Sequence, residues 1–272
     1  VVTATEPVLP GTVRSAVGAE YTRVFHPPYE SLLTVAVNGA LMSSAWFFLP
    51  TGLKDKVFTL HGSLAFAVVL AAWMYSDVPA TNLLGPDPER VAAAIDDPAA
   101  LRRLLMAKNL VLWSVVTPLC LVIAWVNGYL SHDLLAALYS AIWIGVVPFG
   151  VLALSAWVGI FFPYHPIPVR YRWRNRRRWW PMLVRWGILV ITPYGLVPAL
   201  AVVLMGPSLL LWGLTGPQGL DQRLPDRDVG LGVAVAVAVA LVTAVAGHWG
   251  SLRFIRRRRD RLLAYLADPT RG

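Results

Sequence analysis

Residues Phe161–Pro181 read FFPYHPIPVRYRWRNRRRWWP. An apolar run stops at Pro163, Pro166 and Pro168, which lack a backbone donor and impose an extended path. Arg170, Arg172, Arg174, Arg176, Arg177 and Arg178 follow, interleaved with Tyr171, Trp173, Trp179 and Trp180. Arginine among aromatics suits stacking on RNA bases. A membrane surface explains the pattern better, with rings in the headgroup layer and guanidinium groups on lipid phosphates. Arg170, Arg172, Trp173, Arg176, Arg177, Trp179 and Trp180 are therefore read as lipid-anchoring. The tail SLRFIRRRRDRLLAYLA is similar, with Arg256 and Arg257 in the same role on an amphipathic helix lying on anionic lipid.

Working outward, the same basic character returns in every second loop. Arg14 and Arg23 precede the first apolar span, and Arg90, Arg102, Arg103 and Lys108 follow the second. Of 24 Lys and Arg residues, only Lys54, Lys56, Arg223 and Arg227 fall on the opposite side. Positive charge in short loops stays cytoplasmic, so the skew predicts an even number of crossings with both ends inside. Crossing about 30 Å of hydrocarbon takes about 20 helical residues. Six candidates meet that length: 31–49, 57–75, 107–126, 134–162, 183–205 and 229–247. Backbone in lipid must satisfy its own hydrogen bonds, so each is expected to be helical.

The last candidate tests this expectation. Its Val-Ala alternation mimics strand periodicity, yet both residue types are apolar and no polar face results. As a helix it sets Gly230, Ala234 and Ala238 on one ridge and Gly232, Ala236 and Ala240 on the next, which suits close helix contact in lipid. The fourth candidate is long, and Pro148 within it favours a kink. The fold class expected is an all-α polytopic membrane protein with six transmembrane helices and interfacial N- and C-terminal helices. Residues 1–30 form the N-terminal interfacial segment, 31–248 the transmembrane domain and 249–272 the basic tail. Loops 76–106 and 163–182 lie on the cytoplasmic side and 206–228 on the outer side.

Composition agrees. The 272 residues are 57% hydrophobic and 14% charged, against about 25% charged in a soluble domain. A net charge of +9 could point to nucleic acid. The basic runs abut apolar spans, however, so anionic lipid is the nearer counter-charge and no nucleic-acid partner is expected. Residues 1–30 lack the apolar core of a signal peptide, so insertion through the first span is expected. Scarce Lys beside abundant Arg, Ala, Val and Leu suggests a GC-rich bacterial source, hence the bacterial inner membrane.

Loop 76–106, SDVPATNLLGPDPERVAAAIDDPAALRRLLM, contains Asp87-Pro88 and Asp97-Pro98. Each pair suits a helix start, with Asp capping and Pro at the first helical position. The loop is thus expected to fold as short helices, the second running towards the third span. Val13–Glu30 is expected to be an interfacial helix broken before the first span.

Signals for catalysis are weak. His26, His61, His132, His165 and His248 are scattered, without metal-ligand spacing, and His132-Asp133 reads as a helix start. Cys120 is the sole cysteine, so neither an intrachain disulfide nor a Cys-based metal site is expected. Neither Lys54, Lys56 nor Lys108 is followed by Ser or Thr, as a phosphate-binding loop requires. Ionisable groups are not expected within the spans, which argues against ion-coupled carriers. Polarity there comes from Asn38, Ser43, Ser44, Thr117, Tyr139, Thr192, Tyr194 and Thr243.

Six helices, an amphipathic N-terminal segment and a helical second-to-third loop resemble the ABC-2-type permease subunits of ABC exporters. SDVPATNLL followed by LRRLLMAKNLVL looks like that family's acidic residue after the second span and Leu-Leu-x-x-Lys run entering the third. VGIFFPYHPIPVR is similar to a Phe/Tyr-Pro-x-x-x-Pro turn of some members. A Gly-Thr-x-Glu element of the commoner pattern is missing. The resemblance implies an ABC ATPase partner that carries ATP and Mg, no cofactor in this chain, and a second permease copy or homologue. It makes 76–106 the coupling loop, with Asp77, Pro79, Asn82, Leu83, Leu84, Asp87, Arg90, Arg102, Arg103 and Lys108 as ATPase-coupling residues. It makes 206–228 a re-entrant segment, and Asn38, Ser43, Ser44, Thr117, Thr192 and Tyr194 a path for an amphipathic or lipid-linked substrate or drug. A non-catalytic scaffold and a lipid-modifying membrane enzyme are the alternatives.

Overall fold

The computed structural model describes residues 9–27, 29–53, 65–76, 78–165, 169–174 and 226–268, with residues 180, 181, 183, 184, 187, 188, 191, 192, 194–196 and 199 of the stretch between. The described residues form helices and no strand. In chain order these are α1 (Val13–Val24), α2 (Glu30–Phe48), α3 (Ala65–Tyr75), α4 (Val78–Thr81) and α5 (Pro88–Ala94), then α6 (Pro98–Leu130), α7 (Leu134–Phe161), α8 (Val169–Arg174), α9 (Asp226–Arg257) and α10 (Arg259–Leu266).

Four of them are long and apolar enough to cross a membrane: α2, α6, α7 and α9. They match the first, third, fourth and sixth candidate spans. The second is represented by α3, a shorter apolar helix, because residues 54–64 lie outside the described set. Most of the fifth, and the outer loop 206–228 apart from its last three residues, also lie outside it. Apolar side chains on the outer surface of the long helices, such as Phe48, Val122, Tyr129 and Val242, are exposed. Water would disfavour so much contiguous apolar surface, whereas lipid accepts it.

Local chemistry sets the helix ends. Thr12 caps α1 in a capping box, accepting from Ser15 N at 3.1 Å while Ser15 Oγ accepts from Thr12 N at 3.2 Å. The first helix ends at Val24, and Tyr29 takes φ 55° before α2 begins at Glu30. Asp97 caps α6, accepting from Ala99 N at 2.8 Å, with Pro98 at the first position as expected. Asp87 precedes Pro88 at the start of α5 but makes no capping bond; its carboxylate lies 2.8 Å from Arg90 Nε instead.

The turn between α6 and α7 is a Schellman motif. Asp133 N donates to Gly128 O at 2.9 Å and His132 N to Tyr129 O at 3.2 Å. His132 therefore adopts φ 55°. Asp133 then caps α7 through Ala136 N at 3.1 Å. This dipeptide is a helix junction.

Two lengths differ from expectation. At 33 residues, α6 extends about 50 Å, well beyond the hydrocarbon layer, so the last part of loop 76–106 is continuous with the third span. Likewise α9, at 32 residues, carries Arg253, Arg256 and Arg257 outward on unbroken helix. Both Pro148 in α7 and Pro118 in α6 sit inside continuous helix.

Packing separates the two ridges of α9. Gly232, Ala236 and Ala240 are buried, whereas Ala234 and Ala238 face outward. The buried row continues through Gly247, where an added Cβ would lie 3.0 Å from the Ala153 Cβ of α7. Small residues thus bring α9 and α7 into close contact. One apolar cluster fills the space among α2, α3, α6, α7 and α9, centred on Met42, Leu70, Tyr75 and Leu152. A second lies at the arginine-bearing end, where Leu84, Ile95, Leu101, Leu104 and Ile160 meet Ile255, Leu262 and Leu266.

Candidate functional site

That second cluster is the floor of a helical cap built from α1, α4, α5, the start of α6 and α10. The turn α4 rests on α7 at Gly159, where a Cβ would collide with the Thr81 carbonyl. One residue later, Asn82 grips the chain beyond α7. Its Nδ2 donates to Tyr164 O at 2.8 Å and its Oδ1 accepts from Tyr164 N at 3.3 Å. Gly85 packs against the same Tyr164 carbonyl. From α6, Lys108 Nζ donates to Leu83 O at 2.8 Å. The loop is thus fastened to both long helices that follow it.

Charge is concentrated behind this fastening. Glu20 of α1 and Lys108 of α6 are buried, at 2% and 5% exposure. Arg23 donates from Nε to the two Glu20 carboxylate oxygens at 3.0 and 3.1 Å. Burial alone would raise the Glu20 pKa; Lys108 and Arg23, with Arg90, outweigh it and hold the carboxyl below its ordinary value. Beside these groups lies a cavity of about 40 Å³ lined by Pro79, Asn82, Leu83 and Val111, room for a water or two. Buried charge of this kind needs pairing to be tolerated. Lys108, expected on the cytoplasmic side, lies on the helix that continues into the third span.

The tail closes the cap. Arg259 of α10 makes a bidentate bond to Asp96, at 2.5 and 2.7 Å, and that contact holds the Asp96 carboxyl below its usual pKa. The Tyr265 hydroxyl accepts from His165 N at 3.2 Å, His165 Nε2 lies 2.9 Å from Tyr265 O, and the two rings stack at 4.7 Å. The apolar face of α10, expected on lipid, is instead covered by α5 and α6: Leu262, Tyr265 and Leu266 are buried there.

The expected coupling residues divide into two groups. Asn82, Leu83, Leu84, Asp87 and Lys108 are buried and Pro79 is partly so; of these Pro79, Asn82, Leu83 and Lys108 line the small cavity. Arg90 pairs with Asp87, while Arg103 donates to Pro10 O at 3.0 Å and lies 3.8 Å from Asp97. Arg102 is exposed, as are Glu89, Ala93, Asp96 and Ala99. A protein laid against the cap would meet this second group. Asp77 lies outside the described residues.

The polar residues expected to line one path make separate side-chain contacts. Asn38 Oδ1 accepts from Tyr194 at 2.6 Å, and Thr117 bonds Tyr75 at 2.6 Å. Ser43 is half-buried, Ser44 is exposed, and Thr192 lines an apolar pocket with Leu154, Trp157 and Ile188. Of the expected lipid anchors, Trp173, Trp180, Arg256 and Arg257 are exposed. Arg170 and Arg172 belong to α8 by backbone, and Arg176, Arg177 and Trp179 lie outside the described residues. Among the described residues, no group of three or more His, Cys, Asp or Glu side chains could hold a metal ion.

The burial of Glu20 and Lys108 beside one cavity and the Asn82–Tyr164 clamp are absent from the sequence-based expectations. A faint signal existed for each: a lysine inside an apolar run, and an Asn just before a Leu-Leu-Gly turn. Taken together, the features define a multi-pass helical membrane protein with a folded polar cap at one end. No family model, curated protein or solved structure matches the chain.

Proposed function

We propose that this chain is the permease subunit of an ATP-driven exporter of the ABC-2 type. It would sit in a bacterial inner membrane with six spans and both termini inside, and work as a pair with a second permease. A separate subunit hydrolyses ATP, and the substrate is amphipathic or lipid-linked. One observation carries the proposal: the segment between the second and third apolar spans folds as short helices tied through Asn82 to the chain just past α7 and through Lys108 to α6. A load applied to its exposed side, at Glu89, Ala93 and Arg102, passes into two long helices without first bending a loop. A motor outside the membrane requires such a connection, because interaction energy shifts a conformational equilibrium only through groups that differ between its states.

The test is purification in mild detergent from the native membrane. A protein with a nucleotide-binding loop should co-purify with the wild-type chain, and Glu89→Lys with Arg102→Glu should release it while insertion stays intact. Retention of the same protein by the doubly substituted chain would refute docking at this surface.

A further inference from the structure

Helices α6 and α9 both pack on α7 but hardly touch each other. Between them runs a groove of about 370 Å³ floored by Phe149 and Ala153 of α7. Arg102, Met106 and Leu110 form one wall at helical spacing, and Val245, His248 and Trp249 form the other. Its apolar length ends in charge. Arg102 is exposed and, among the described residues, makes neither ion pair nor hydrogen bond. Across from it, Trp249 is 60% exposed, and the Arg253 guanidinium lies over its ring at 5.3 Å. Two further lining residues, Asn109 and His248, carry a buried polar atom each, Oδ1 and Nε2, without a hydrogen-bond partner. Buried polar atoms ordinarily find partners, and an unpaired set beside an uncompensated cation calls for an explanation.

We infer that this groove binds one anionic phospholipid from the leaflet at the arginine-bearing end, its phosphate between Arg102 and Arg253 and an acyl chain along Phe149 and Ala153. The shape and the charge demand the same molecule. A free phosphate would satisfy the arginines but leave the apolar floor uncovered. A zwitterionic lipid would fill the floor but bring its own cation to the rim. The indole of Trp249 stands at the boundary between the two, where such rings favour the headgroup layer. Arg102 also lies on the surface proposed for the ATPase; Val245 of α9 does not, so Val245→Trp tests the lipid site by itself.

The experiment is native mass spectrometry of the full chain, released from nanodiscs of phosphatidylglycerol and phosphatidylcholine in equal parts. The wild type should retain one phosphatidylglycerol through delipidation that strips other lipid. Arg102→Gln should weaken retention about fivefold, as expected for loss of one arginine near a lipid surface. Val245→Trp, which narrows the groove from an exposed position and keeps both arginines, should weaken it as well. Arg14→Gln, at an exposed arginine of α1 away from the groove, should not. Added inorganic phosphate should leave the bound lipid in place. Equal retention of phosphatidylcholine, unchanged retention in Arg102→Gln and Val245→Trp, or displacement by phosphate alone would overturn the assignment.

Discussion

Asn82 and Tyr164, 82 positions apart, bond each other twice: the side-chain amide donates at 2.8 Å and accepts at 3.3 Å from one backbone unit. The amide thereby acts as a strand segment would, satisfying a carbonyl and an N–H just past the end of α7. Both residues are buried away from bulk water.

Asn82→Ala should therefore cost more than an ordinary hydrogen bond, about 1–3 kcal/mol, because it strands buried backbone groups. Asn82→Asp removes the donor and adds charge, and should be no milder. Thermal unfolding in detergent reads the loss, and protease cleavage within 76–97 should accelerate. An unchanged melting temperature for Asn82→Ala would contradict the clamp.

Two glycines of α7 should respond in opposite directions. At Gly145 a Cβ would meet nothing within 4 Å, so Gly145→Ala should stabilise by about 0.5–1 kcal/mol, the helical preference for Ala over Gly. At Gly159 the Thr81 carbonyl fills the space, and overpacking should cost about 1–3 kcal/mol. Melting curves of the two variants, measured side by side, decide it.

Acid should loosen α1. Glu20 has a folded-state pKa below its ordinary value, set against burial by Lys108 and Arg23. Its contribution is fully present above the unfolded value, about pH 4.3, and is lost as pH falls through the folded value. Hydrogen exchange across α1, corrected for the intrinsic rate, should rise below that pH. Glu20→Gln should show weaker protection at neutral pH and little further change on acidification. An identical acid profile in both proteins would sink this role for Glu20.

The Arg259–Asp96 contact should latch the tail. Asp96→Arg should expose α10 to trypsin, and pairing it with Arg259→Asp should restore protection. Both side chains face solvent, so the latch should weaken with added salt. Unchanged cleavage in Asp96→Arg would show that the apolar contacts of Leu262 and Tyr265 hold α10 without the latch.

Much of this architecture is legible in the residues. Asp97-Pro98 and Asp133 mark helix starts because their side chains reach backbone donors two or three residues on, a local matter. The Val-Ala run reads as helix because lipid forbids unpaired backbone. Which ridge of α9 packs is less legible, since Gly230 and Gly232 differ only in what stands opposite. The helix start at Asp97-Pro98 and its run towards the third span are legible; that it joins the span without a break is not, because the polar residues from Pro98 to Lys108 interrupt the apolar pattern. The face of α10 illustrates a general ambiguity: Leu262, Tyr265 and Leu266 suit lipid or protein equally, and the choice falls to α5 and α6. Glu20 and Lys108 line one cavity from positions 88 apart in sequence, and a lysine inside an apolar run is the one local hint of it.

The central claim is that the cap receives a motor, and cross-linking from its exposed side tests it most directly. Ala93 is exposed, and the one native cysteine, Cys120, is buried, so Ala93→Cys offers a single reactive thiol. A photoreactive maleimide placed there in native membranes should capture a nucleotide-binding protein, and the yield should fall when ATP is added or when Glu89 and Arg102 are reversed in charge. Capture of lipid alone, or of a protein with no nucleotide-binding loop, would contradict the account.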